Sequence, residues 1–207
     1  MMVATPSLEK ELTARGFTAP IRRWSRGVDL ALFHPRPKAA GPYPRPVLLY
    51  VGRVSAEKGL DDFLSLKAAG TKVVVGDGPA REELQAKYPA AVFLGYRKGD
   101  ELAATYAAAD LFVFPSRTDT FGLVVIEALA SGLPVAAYPA TGPVDTITDD
   151  KLGALDEDLG RAVQRALRTG DPAACAAEGR KYTWESCTRQ FVENLVPVGD
   201  AGVRPGR

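Results

Sequence analysis

A chain of 207 residues has room for one domain of ordinary size with extensions, and 46% apolar against 25% charged residues is globular usage, which excludes a disordered chain or a fibrous repeat. With 26 basic and 25 acidic residues the net charge is +1, so no global field attracts nucleic acid or an anionic membrane, and any anion site must be local. No apolar run approaches the ~18–20 residues needed to span a bilayer, and the N-terminus lacks the order of a secretion signal, so the cytoplasm is the expected compartment and peripheral membrane contact stays open. Cys175 and Cys187 show no metal-ligand spacing and are expected to be reduced, structural thiols.

In chain order, Ser7 to Gly16 predicts a short helix with a serine cap, an acidic first turn and a terminal glycine. Residues 29–46 are dense in proline (Pro35, Pro37, Pro42, Pro44, Pro46) and read as an extended linker. Short strands then alternate with helices: strand Val47 to Val51, helix Gly59 to Ala69, strand Lys72 to Val75, helix Pro79 to Lys87. Strand Val92 to Leu94, helix Asp100 to Ala108, strand Leu111 to Phe114, helix Gly122 to Ser131 and strand Val135 to Ala137 follow. Runs apolar on both faces imply a sheet buried on both sides, so the fold class is α/β: a Rossmann-like parallel sheet with helices on both faces. After residue 155 the pattern is wholly helical, with a C-terminal helix over 183–198 and a disordered tail over 199–207.

Ligands of such a sheet bind beyond the carboxyl ends of its strands, which directs attention to the loops there. In Gly52-Arg53-Val54-Ser55-Ala56-Glu57-Lys58-Gly59, two cations stand where a helix end already carries positive potential. A bound diphosphate would resolve that conflict, as would surface pairing with Glu57, Asp61 or Asp62. Gly76-Asp77-Gly78-Pro79-Ala80-Arg81 half-matches a dinucleotide fingerprint, but Arg81 replaces the third glycine, so a dehydrogenase is discounted; a plain turn, or a turn against which a base lies, remains. Gly95-Tyr96, after the third strand, is a weaker signal still, for which a surface tyrosine in a turn is the plain explanation.

The fourth loop runs from Pro115 to Glu127 and places Asp119 before a helix and Glu127 inside it, among Val124, Val125, Ile126, Ala128 and Leu129. A helix apolar nearly all round is buried, so Glu127 needs hydrogen-bond donors: sugar hydroxyls, or an arginine such as Arg53. The amides of Phe121, Gly122 and Leu123 begin that helix and would face a phosphate beside it. Asp145, in the fifth loop, reads as a capping or first-turn acid. Asp156-Glu157-Asp158 introduces a helix, so its acids read as dipole partners and no metal site is expected.

Together these residues resemble the C-terminal, donor-binding domain of family-four retaining glycosyltransferases, one half of the GT-B architecture, and especially the GDP-mannose-dependent alpha-mannosyltransferases. The resemblance rests on Arg26-Gly27-Val28-Asp29, Phe33-His34-Pro35, Val51 to Gly59, Val74 to Pro79, Phe93 to Tyr96, Phe114 to Glu127 and Tyr182-Thr183-Trp184. It implies that Arg53 and Lys58 grip the diphosphate, that Asp119 and the amides of Phe121, Gly122 and Leu123 hold the donor sugar and its phosphate, and that Glu127 binds the ribose hydroxyls. Gly76 and Tyr96 complete the donor-binding set. Asp119 departs from the glutamate commoner in the family.

By the same resemblance, residues 1–28 are the end of an N-terminal domain and its crossover, and residues 47–182 are the nucleotide-sugar-binding domain. The N-terminal Rossmann domain that would hold the acceptor lies outside this sequence, and no catalytic residue is carried over from it. The implied reaction moves a hexose, mannose first among candidates, from a GDP-sugar or UDP-sugar to a hydroxyl with retention, without cofactor or metal. The rival reading is a non-catalytic nucleotide-sugar-binding fragment or subunit that needs a separate acceptor domain. An epimerase or phosphorylase on the same fold is the third.

Overall fold

The computed structural model describes residues 1–38 and 41–195. The tail expected over 199–207, and the end of the helix expected over 183–198, lie outside the described residues.

The chain opens with β1 (Met2–Val3), α1 (Pro6–Ala14) and β2 (Arg22–Arg23), the two strands pairing in parallel. Thr5, not Ser7, caps α1, its hydroxyl accepting from the Leu8 amide at 3.3 Å, because Pro6 takes the first helical position where no N–H is needed. Ser7 instead turns its amide and hydroxyl to Asp145.

The main body is β3 (Val47–Val51), α2 (Leu60–Ser65), β4 (Thr71–Val75), α3 (Arg81–Lys87), β5 (Val92–Gly95) and α4 (Gly99–Ala108). Then come β6 (Leu111–Phe114), α5 (Leu123–Ala130), β7 (Val135–Ala137), α6 (Pro143–Thr146), β8 (Gly153–Leu155), α7 (Leu159–Thr169), α8 (Pro172–Gly179) and α9 (Trp184–Glu193). The six strands form one parallel sheet in the order β5-β4-β3-β6-β7-β8. The chain winds outward from β3 in one direction and then, from β6, in the other, so the order reverses between these two central strands. Their carboxyl ends diverge into a crevice, the place where doubly wound sheets take ligands.

Period-two alternation divides the core. Leu49, Val51, Val73, Val75, Phe112 and Phe114 pack with Tyr106 of α4 and with Val125, Ile126 and Leu129 of α5. Leu48, Tyr50, Val74, Leu111 and Val113 face the opposite way, onto Phe63 of α2, Leu84 of α3 and Val163 of α7. Leu129 and Ile126 are fully buried, and cutting either to alanine costs about 2–5 kcal/mol in such a setting. Cys175 and Cys187 are buried free thiols.

Beyond the cap of α1, the expected elements differ from the observed ones in four places. The helix expected over Gly59 to Ala69 is split: residues Ala56–Lys58 form a 3-10 turn, Gly59 adopts φ +67°, and α2 stops at Ser65. Lys72 closes that stop, its ammonium donating to the carbonyls of Leu64 and Leu66 at 2.6 Å each. Pro79 sits in a turn before α3 rather than in it, because the Ala80 amide is taken by the Val54 carbonyl. Strand β8 was not expected; its first residue, Gly153, runs so close to β7 that a Cβ would stand 1.9 Å from the Val135 carbonyl oxygen. The β1–β2 pair was likewise not expected.

Candidate functional site

At the carboxyl end of β3 the chain turns through Gly52 and Arg53, and the Gly76 loop after β4 crosses it. Gly76 has φ +134°, and a Cβ there would lie 1.8 Å from the Gly52 carbonyl oxygen. Backbone crossing, with the Val54 amide on the Asp77 carbonyl at 2.9 Å, therefore explains the glycines that half-imitated a dinucleotide fingerprint.

Arg53 is largely free. Its side chain is 65% exposed and its Nη1 stands 3.8 Å from Glu57 Oε1, a distance too long for a strong pair. The Glu57 carboxylate is instead held by the buried Ser55 hydroxyl at 2.7 Å, a bond that keeps its pKa below the usual range. The Tyr50 phenol fixes the backbone beneath, donating to the Arg53 carbonyl at 2.8 Å.

Lys58 takes none of the surface acids near it in sequence. Asp61 binds Lys87 and Tyr88, and Asp62 accepts from the Tyr138 phenol at 2.7 Å. Lys58 Nζ reaches across the crevice to Asp119 Oδ2 at 2.7 Å, with both side chains about three-quarters covered. A lysine and an aspartate expected to act separately on a donor are thus partners of each other, joining the loop after β3 to the loop after β6.

Helix α5 starts without a side-chain cap. Gly122 occupies the cap position at φ +75°, and among the described residues the amides of Phe121, Gly122 and Leu123 donate to no protein acceptor. One turn in, Glu127 Oε2 accepts from the Tyr106 phenol at 2.8 Å. Burial raises the Glu127 pKa, and the phenol's hydrogen bond only partly opposes it. Tyr106 itself is wholly enclosed, which pushes its phenol well above the ordinary value and keeps it a donor. The alternative partner, Arg53, forms no ion pair with Glu127 among the described residues.

Two adjoining hollows result, sharing Val51, Gly52, Arg53 and Val124. One, of about 430 Å³, is bounded by Arg26, Arg53, Lys58, Asp119 and the start of α5. The other, of about 460 Å³, is bounded by Gly76, Tyr96, Arg97, Lys98 and Glu127. All nine residues singled out in the sequence line one hollow or the other. Arg97 and Lys98 carry no weight in the sequence reading, and Arg26 stands there only within the motif that supports the family resemblance, with no role at the site; Arg97 and Lys98 directly follow Tyr96 in a loop after a strand, which is the available signal.

Other flagged acids lie elsewhere. Asp145 anchors the first turn of α1 through Ser7. Asp158 caps α7, accepting from the Gly160 and Arg161 amides, and Glu157 pairs with Arg117. Among the described residues no group of three or more potential metal ligands occurs.

Residues 45–169 match the family described as Glycosyl transferases group 1. This chain belongs to that family. It is 43% identical to a GDP-mannose-dependent alpha-mannosyltransferase of Mycobacterium tuberculosis, over 73% of this chain and 42% of that protein. It is 34% identical to the sulfoquinovosyl transferase SQD2 of Arabidopsis thaliana, over 92% of this chain and 43% of that one. Among solved structures, sucrose-phosphate synthase from Thermosynechococcus elongatus superposes with a TM-score of 0.78 at 27% identity, covering 93% of this chain and 56% of that one. The group 1 glycosyltransferase chain described here therefore spans under half the length of these curated relatives, and its fold is one Rossmann-like half of the GT-B architecture.

Proposed function

We propose that this chain is the donor-binding half of a hexosyltransferase, taking a nucleoside-diphosphate sugar, GDP-mannose first among candidates, for retaining transfer to a hydroxyl acceptor. The observation that carries this reading is the pairing of hollows across one helix. A cationic hollow opens onto three free amides of α5, and beside it a hollow contains the half-buried Glu127. The first suits a diphosphate, whose charge is met by Arg53, Lys58 and the helix end. The second suits a nucleoside, with Glu127 accepting from ribose hydroxyls and Tyr96, 73% exposed, offering a ring to the base. Asp119 would orient the sugar from its place beside Lys58. Transfer is then assisted by electrostatic stabilisation of the departing diphosphate, with no metal in the reading. The free thiols agree with a reducing compartment, so the cytoplasm is the proposed location.

The acceptor, in this reading, is held by a companion domain in the same or another chain. The crevice wall is uncovered on one side, where Leu123 at the mouth of the site is 48% exposed. A half-open crevice leaves the reacting centre in water, where fixed charges act weakly. The 207 residues alone are accordingly expected to bind nucleotide and to transfer negligibly, which keeps the binding-module reading alive for the isolated chain. Titration calorimetry with GDP and UDP tests the donor reading and chooses the base; heat from neither overturns it. Brisk turnover by the purified chain would remove the need for a companion domain.

A further inference from the structure

Arg26 belongs to none of the sheet loops, yet it lines the cationic hollow together with Arg53 and Lys58. It is absent from the walls of the hollow that contains Glu127, Gly76 and Tyr96. Its position is built rather than accidental. Nη1 donates to the carbonyls of Trp24 and Ser25 at 3.1 and 3.2 Å, and the guanidinium carbon stands 4.5 Å from the centre of the Trp24 ring. That ring leans on Phe191 of α9, with centroids 5.0 Å apart. The flanking backbone is clasped by the same helix and the residues just before it. The Ser25 amide donates to Gln190, the Val28 amide to the Tyr182 carbonyl, and Gly27 runs so close to Trp184 that a Cβ would meet its backbone at 2.7 Å.

The electrostatics of the hollow single this side chain out. Lys58 is answered by Asp119 at 2.7 Å, and Arg53 loosely by Glu57 at 3.8 Å. Arg26 has no carboxylate within 4.0 Å among the described residues, and its Nε and Nη2 donors have no protein partner there. A half-buried guanidinium with one side fastened and the other facing an open hollow is a pre-organised receptor for an anion. We propose that Arg26 is a third cation of the donor site, binding the terminal phosphate of the diphosphate. The proposal rests on the donor-binding reading above. It assigns the terminal phosphate because Arg26 lines the hollow that also contains Asp119, the residue proposed to orient the sugar, and does not line the nucleoside hollow. By holding that phosphate it would counter the charge that gathers there as the glycosidic bond breaks. It would also tie the crossover segment and α9 to the loaded state of the site.

The test is titration calorimetry on the full 207-residue chain with GDP, UDP and the matching monophosphates, for the wild type, R26M and R26K. The methionine keeps the packing on Trp24 and removes the charge. R26M is expected to bind the preferred diphosphate about tenfold more weakly, the loss of one charge-assisted contact, while its affinity for the monophosphate stays put. R26K should recover part of the loss, since a point charge replaces the fork. Unchanged diphosphate affinity in R26M overturns the proposal and leaves the donor reading intact. Equal losses for diphosphate and monophosphate overturn it too, since they mark a structural role. A wild type that binds neither diphosphate removes both readings together. R26Q, which can still donate to the two carbonyls, repeats the test should the melting curve of R26M fall below that of the wild type.

Discussion

Helices α5 and α7 begin alike, each after a strand of the same sheet, but they are finished differently. At α7 the Asp158 carboxylate takes the Gly160 and Arg161 amides, so the protein satisfies that end itself. At α5 a glycine stands in the cap position and three amides face an open hollow. Capping with an acid is the ordinary, stabilising solution. Its omission where the sheet reverses its winding, beside cations and a half-buried carboxylate, is what the donor-binding proposal reads as an end left for a ligand. The same contrast separates the acids: Asp158 is a working cap on the surface, and Glu127 carries a cost of burial that its hydrogen bond from Tyr106 opposes only in part.

The sharpest way to break this contrast is Glu127→Ala. Loss of a charged acceptor for hydroxyls should weaken nucleotide binding by about 2–3 kcal/mol, roughly thirty- to 150-fold, read by calorimetry with whichever diphosphate the wild type prefers. Unaltered affinity would leave Glu127 a structural residue and return α5 to the status of an ordinary helix. Next in size, Asp158→Ala should lower the melting temperature by a few degrees and leave nucleotide affinity as it was; a loss of binding would mean that the two helix starts are coupled. The smallest effect is in pH dependence, and its sign differs between the helices. Glu127 has a raised folded pKa, so its contribution to stability is present below the unfolded value near 4.5 and is lost as pH rises through the folded one. Asp158 has a lowered folded pKa, chiefly from the Arg161 amide, so its contribution is present above 3.8 and is lost as pH falls through the folded value. Urea unfolding across pH 3 to 7 should show the wild type losing ground to Glu127→Gln as pH rises past about 4.5. Against Asp158→Asn it should lose ground as pH falls below about 3.8. Parallel curves for both variants would contradict the assignment.

Much of the sheet was readable because buried parallel strands are continuous apolar runs: Val47–Val51, Leu111–Phe114 and Val135–Ala137 stand where the pattern put them. Strand β8 was not, since Gly153-Ala154-Leu155 has neither length nor β-branched residues and is held by close approach to β7. The length of α2 was misjudged because its end is imposed by Lys72, a residue of the next strand. For the site, the residue types and loops were legible and their partners were not. Lys58 and Asp119 are 61 positions apart, and nothing in the sequence prefers that pairing to the acids close at hand. Glu127 announced its need for a donor, but Tyr106, on another helix, could be named only from packing. Arg26 was visible only as part of a family motif, and its place in the site was not legible because it comes from a segment that precedes the sheet.

The crossing of the Gly52 and Gly76 backbones has a practical consequence for anyone wishing to retune this scaffold. Two main chains in close contact leave no volume to vary at position 76, where any side chain would drive the loops after β3 and β4 apart. Room for change lies farther out, where Tyr96, Arg97 and Lys98 project from a loop with no comparable constraint. If the proposed donor reading holds, a library confined to those three positions is expected to alter base preference while the crossing of the two loops beneath stays unchanged.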